Sequence, residues 1–176
     1  MYFSPFVIDA QSGKPVDAFI AEAEAQDINS ALTSNGWQSD WNSEYLSNPD
    51  IRKYALKSGD GDLLALGAYQ IIGKQAYVFI VYVESAPHSN PTLSSSKRYY
   101  GIGKLMFAFG IKYSVDNGCR GDIVFEAKTD ELARHYERDF KAVRIPSGSG
   151  IKRYMIADEI AWELFSCYLK EDDSDE

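Results

Sequence analysis

From Ile51 to Ser85 the apolar residues come in runs broken by short polar pieces, "IRKYALKS", "GDGD", "LLALGAYQII", "GKQ" and "AYVFIVYVES". β-Branched and aromatic residues dominate these runs, and a Gly/Asp break between two of them signals a hairpin, so an antiparallel three-strand meander is predicted. The third run is nearly all apolar, as in a central strand covered on both faces. Upstream, residues 16–34 are rich in Ala and Glu, and Val16, Phe19, Ile20, Ala23, Asp27 and Ala31 form an imperfect 3.6-residue stripe that predicts a helix. Trp37, Trp41 and Tyr45 stand four apart and predict a second short helical piece with one aromatic face.

Downstream, Ile102, Leu105, Met106, Phe109 and Tyr113 are spaced as one face of a helix running to about Asn117, with Gly118 as its stop. "GDIVFEA" then reads as a strand, so strand, loop, helix and strand form a crossover with parallel pairing. "TDELARHYERDF" begins with a Thr or Asp cap, carries Asp130 and Glu131 early and Arg134 and Arg138 late, and so predicts a helix whose charges suit its dipole. Residues 141–146 and 151–157 read as two strands around "PSGSG", and Ile160, Leu164, Cys167 and Tyr168 mark a last helix. The expected organisation is a single mixed α/β (α+β) domain over residues 1–170, followed by a solvated acidic tail, "EDDSDE", at 171–176.

At 176 residues, 45% hydrophobic and 14% aromatic, the chain can bury a continuous core. Acidic residues outnumber basic ones by 26 to 18, giving a net charge of −8 that repels phosphate backbones and anionic membranes and draws in cations such as amines. Neither nucleic acid nor a membrane is therefore an expected partner, and a homodimer is left open. No apolar run approaches the roughly 20 residues of a membrane span, and the N-terminus lacks the pattern of a signal peptide. Cys119 and Cys167 are far apart without metal-ligand spacing, so reduced thiols, no metal site and a cytoplasmic location are expected. "GDGD" lacks the other ligands of a calcium loop and reads as a turn.

The candidate chemistry centres on "RYYGIGK", residues 98–104, at the start of the predicted helix. A helix N-terminus offers unpaired N–H groups to an anion, glycines at 101 and 103 let backbone approach a phosphate closely, and Arg98 and Lys104 add charge. A dinucleotide fingerprint would need a third glycine where Met106 stands, and an ATP-type loop would need Ser or Thr where Leu105 stands. Glu84, on the face of its strand shared with Ile80 and Tyr82, is a carboxylate at the end of a buried strand and a candidate general base, with a surface or salt-bridged glutamate as the alternative. His88 could share that role, while His135 reads as structural. Trp37 and Trp41 either pack on the core or line a substrate pocket.

Arg98-Tyr99-Tyr100-Gly101-Ile102-Gly103 resembles the Arg/Gln-x-x-Gly-x-Gly/Ala motif of the GNAT superfamily of N-acetyltransferases, and "AYVFIVYVES", "GDIVFEA" and "HYERDF" occupy the family's neighbouring places in order. The similarity covers roughly residues 51–157. Two positions depart from it: Asp139 stands where Gly usually precedes Phe140, and Thr129 stands where Asn often contacts the pantetheine arm. The resemblance implies a mostly antiparallel sheet flanked by helices, with a splayed parallel strand pair at the cofactor site. It implies acetyl-CoA as co-substrate, its pyrophosphate on the turn formed by Arg98, Tyr99, Tyr100, Gly101, Ile102, Gly103 and Lys104, and its pantetheine near Val81, Tyr82, Val83 and Thr129. Tyr136 would be the general acid toward the thiolate, with a core tyrosine as its other reading. The implied activity is direct transfer of an acetyl group to a primary amine. The alternatives are a non-catalytic acyl-CoA-binding or regulatory module and an interaction domain on the same fold.

Overall fold

The computed structural model describes residues 1–93 and 96–173. In chain order the elements are β1 (Tyr2–Phe3), β2 (Phe6–Asp9), β3 (Pro15–Glu22), α1 (Ala25–Ser30), β4 (Ile51–Ser58), β5 (Leu63–Ile72), β6 (Tyr77–Ser85), β7 (Tyr99–Tyr100), α2 (Ile102–Asp116), β8 (Ile123–Ala127), α3 (Asp130–Asp139), β9 (Val143–Ile145), β10 (Lys152–Ile156), α4 (Asp158–Ser166) and β11 (Leu169–Lys170). The fold is mixed α+β with mostly antiparallel pairing, as expected. It has two compact units: the described residues of Met1–Ala68, Tyr82–Met106 and those from Tyr168 onward form one, and Tyr69–Val81 with Phe107–Cys167 form the other. No described helix is long and apolar enough to cross a membrane.

In the first unit the strand order is β7-β2-β3-β4-β5. Here the expected helix over 16–34 is corrected: Pro15–Glu22 is a strand paired antiparallel with both β2 and β4, and only Ala25–Ser30 is helical. Val16, Ala18 and Ile20 face inward and alternate with exposed Asp17, Phe19 and Ala21. Ladder bonds to two neighbours outweigh the helix preference of Ala and Glu, which is worth only tenths of a kcal/mol per residue. The second expected helix is also absent. Trp37–Trp41 lies between single 3-10 turns at Thr33–Asn35 and Tyr45–Ser47, with both tryptophans buried and Tyr45 exposed, so the three aromatics do not share a face. Two short pairings escaped the sequence reading: β7 joins β2 through Ile8↔Tyr100 and Asp9↔Tyr99, and β11 joins β1 through Tyr2↔Lys170 and Phe3↔Leu169. Of the acidic tail, Asp172 accepts the Met1 ammonium at 2.9 Å, while residues 174–176 lie outside the described residues.

In the second unit the order is β5-β6-β8-β10-β9. The predicted parallel crossover is present: Val78 pairs with Ile123 and Phe79 with Val124. Gly110 of α2 lets helix and strand close up, since a Cβ there would lie 3.1 Å from Ile80 Cδ1 and 3.3 Å from the Tyr69 ring. Past the end of α2, Gly118 has φ +80°, the left-handed backbone expected of its stop. Phe107, Phe125, Tyr136, Phe140 and Tyr154 interlock as the aromatic core, with Phe107 4.7 Å from Phe125 and nearly perpendicular to it.

Candidate active site

The turn ahead of α2 is held from both sides. Ala10 donates its N–H to the Arg98 carbonyl at 3.0 Å, Arg98 N–H donates to the His88 carbonyl at 2.9 Å, and Tyr99 N–H donates to Ser89 Oγ at 3.1 Å. Gly101 takes φ +85°, a conformation costly for any residue with a Cβ, and this swings the chain from β7 into the helix. The first helical bond runs from Leu105 N–H to the Gly101 carbonyl at 3.0 Å, so the N–H groups of Ile102, Gly103 and Lys104 lie ahead of the ladder. A Cβ at Gly101 or at Gly103 would find nothing within 4 Å, so the space beside these two glycines is open. Arg98 stacks 5.2 Å over the Tyr99 ring and reaches Asp62 at 3.7 Å, while Lys97 lies 5.5 Å over Tyr100. A cleft of about 730 Å³ adjoins the turn, lined by Asp9, Gln11, His88, Lys97, Arg98 and Tyr100 among others. His88 is bound to Ser89 Oγ through Nδ1 at 2.7 Å, and burial pushes its pKa down.

Glu84 lies on the inward face of β6 with only 3% of its surface exposed. Gln38 N–H donates to Oε2 at 2.6 Å, and Trp41 Nε1–H and Ser39 N–H donate to Oε1 at 3.0 and 3.3 Å. The structure thus brings Glu84 and the Trp37–Trp41 segment together. Trp41 is 0% exposed and packs 5.6 Å from the Tyr82 ring, so its indole offers no surface to a ligand. Burial pushes the Tyr82 phenol up, against a side-chain hydrogen bond with Ser39 that pulls it down. Lys53, from β4, donates to the Trp41 carbonyl at 3.2 Å, and burial lowers its pKa. Val81, Tyr82 and Val83 are half-buried, further along β6 than its pairing with β8.

In the second unit Tyr136 is half-buried on α3, with Phe125 at 4.9 Å, Phe107 at 5.5 Å and Phe140 at 6.0 Å from its ring. Thr129 caps the same helix, its Oγ1 accepting from Leu132 N–H at 3.1 Å, which leaves its hydroxyl proton to donate elsewhere. Asp139 is the last residue of α3, and the left-handed position falls two residues on, at Lys141 with φ +53°. A feature the sequence reading missed is Tyr154, fully buried, whose hydroxyl donates to Glu137 Oε1 at 2.6 Å. A buried tyrosine needs such a partner, and alternation within its strand was the available signal.

Asp139 accepts from Arg138 and contacts His135 Nδ1 at 2.6 Å, and these two partners hold its carboxyl down to about 2, against an ordinary 3.8. A depressed carboxyl stabilises the fold above its unfolded pKa, so this contribution is present above pH 3.8 and lost as the pH falls toward about 2. The group is solvent-exposed and the effect small. Asp139→Asn should therefore leave the melting temperature nearly unchanged at neutral pH and flatten its fall across that acidic window, measured by thermal scans.

The fold is like that of solved structures of GNAT-family acetyltransferases. Among solved structures, the chain is similar to a spermidine N-acetyltransferase variant from Vibrio cholerae, at 14% identity and TM-score 0.55 over 79% of this chain and 92% of that one. A GNAT-family acetyltransferase from Listeria monocytogenes matches at 10% identity and TM-score 0.55, covering 85% and 98%. A Klebsiella pneumoniae protein described as an acyl-CoA N-acyltransferase matches at 12% and 0.54, covering 78% and 95%. Comparison of the sequence with protein-family models and with curated proteins returns no match.

Proposed function

We propose that the protein is an acetyl-CoA-dependent N-acetyltransferase that modifies a primary amine by direct transfer. The observation that carries this reading is a glycine turn, with open space beside Gly101 and Gly103, that sets the N–H groups from Ile102 to Lys104 ahead of the first helical bond within this fold. Backbone N–H groups at a helix start suit a diphosphate, and Arg98 and Lys104 supply neutralising charge. The backbone of Val81–Val83 and the Thr129 hydroxyl are assigned to the pantetheine amides, with Tyr99 and Tyr100 flanking the turn. Bound acetyl-CoA would supply an activated acyl thioester. Tyr136 is assigned to protonate the departing sulfur, a task within reach of a phenol. A net charge of −8 favours a cationic acceptor, and the spermidine enzyme among the fold neighbours puts polyamines first on the panel to be tried.

Acetyl-CoA at 100 times its dissociation constant should stabilise the protein by about 2.7 kcal/mol, and thermal scans should show a rise of roughly 5–10 °C. Mass spectrometry of a panel containing spermidine, putrescine, tyramine, lysine methyl ester and an N-terminally free tetrapeptide should then show one product heavier by an acetyl group. No thermal shift with acetyl-CoA would remove the reading. A shift without any amine-stimulated release of coenzyme A would reduce it to a binding module.

A further inference from the structure

We propose that His88 is a positioning residue and an acid-sensitive catch for the turn ahead of α2: its neutral ring accepts the Ser89 hydroxyl, Ser89 accepts the Tyr99 N–H, and protonating the ring breaks this chain. The catch follows from geometry inside one compact unit, and its effect on acetyl-CoA rests on the transferase reading above.

Tyr99 leads the chain through Tyr100 into Gly101, so its backbone sets where the turn begins. His88 and Ser89 belong to a single 3-10 turn, Pro87–Ser89. Ser89 is buried, and its Oγ stands 2.7 Å from His88 Nδ1 and 3.1 Å from Tyr99 N. The ring also hydrogen-bonds the backbone of Leu63, at the start of β5, in a contact that favours protonation, so a ring N–H is turned to that carbonyl. With Nδ1 on Ser89 this is Nε2–H, and the neutral ring leaves Nδ1 as an acceptor. Among the described residues Nδ1 is the acceptor that the Ser89 hydroxyl proton has. Both ring nitrogens are thus engaged and neither is left to draw a proton from an amine, which sets aside His88 as a general base.

A protonated ring carries N–H at Nδ1 too. Ser89 then receives donors from both sides, and its own proton is left in a buried place without an acceptor, at the cost of a lost hydrogen bond. The charged and titratable groups around the ring are Arg98, Asp62 and Tyr99, with Asp9 and Lys97 lining the same cleft. Burial, then Arg98, hold the ring below its ordinary 6.5, against the opposing pull of the Leu63 contact and Asp62. The catch is therefore set above pH 6.5 and released as the pH falls through the ring's own lower value. Ala10 N–H on the Arg98 carbonyl and Arg98 N–H on the His88 carbonyl do not titrate, so release loosens the turn without unfolding it.

Nitrogen NMR of the labelled full chain should find His88 in its neutral Nε2–H form at about pH 7.5. Amide exchange at Tyr99, taken relative to an unprotected peptide at each pH, should lose about fivefold or more of its protection between about pH 7.5 and pH 5. His88→Asn places a carbonyl oxygen where Nδ1 stood, so Tyr99 should stay protected at both values; His88→Leu should leave it unprotected at both. Calorimetric titration should show acetyl-CoA binding about fivefold more weakly at the lower pH in the wild type, once the change seen in His88→Asn, which contains any ionisation of acetyl-CoA itself, is divided out. An Nδ1–H tautomer at neutral pH, or Tyr99 protection that ignores the His88 titration, would overturn the catch. Level or tighter acetyl-CoA binding on acidification, relative to His88→Asn, would overturn the positioning role, the tighter case making His88⁺ a direct partner of the anion. Should the variants not fold, the wild-type NMR and exchange series decides. If acetyl-CoA fails to bind at either pH, the transferase reading and the effect on the cofactor fall together, and the NMR and exchange results still judge the catch.

Discussion

Tyr136→Phe should lower kcat by about 10²-fold or more while cofactor affinity and melting temperature stay close to wild type. The size is that of a general acid's contribution to proton transfer. The ring would remain among Phe107, Phe125 and Phe140, so no cavity opens and an isosteric swap costs little stability. The loss should fall on kcat and on kcat/KM alike, the signature of an interaction made in the transition state. Single-turnover measurements would place it in the chemical step. A folded Phe variant with wild-type turnover, where chemistry limits the rate, would return Tyr136 to a purely packing role.

Gly103→Val should weaken acetyl-CoA binding by about 10²-fold or more, the value of one or two lost hydrogen bonds to a charged group. Gly103 has an ordinary helical backbone and stands exposed with no atom near its missing side chain, so valine fits without strain and the melting temperature should hold. Its isopropyl group would fill the open space beside Gly103, at the turn to which the diphosphate is assigned. Calorimetric titration with acetyl-CoA measures the loss. Wild-type affinity in the folded variant would take this turn out of the site.

Much of this was legible in the chain because the signals are local. The glycine turn, the helix Ile102–Asp116, the meander from Ile51 to Ser85, the following strand and the Thr129 cap all follow from residues within a few positions of one another. Periodicities of two and 3.6 and capping chemistry act over that range. The resemblance to the N-acetyltransferases rested on the same local pieces taken in order, and the fold agrees with it.

What the sequence by itself determined, then, is the class of fold, the order of its main elements and the turn suited to an anion. The tertiary structure decided the rest. Pro15–Glu22 is a strand because β2 and β4 offer ladders on both sides, although its composition favours a helix. Tyr99–Tyr100 is a strand because β2, some ninety residues earlier, lies beside it. Glu84 looks like an accessible base in its own strand and is buried under donors that lie 43 to 46 residues upstream. Arg98 turns toward Asp62, which its own neighbours in sequence do not foretell. Each of these contacts depends on closing a long stretch of chain, and their free energy appears only once the intervening elements have packed.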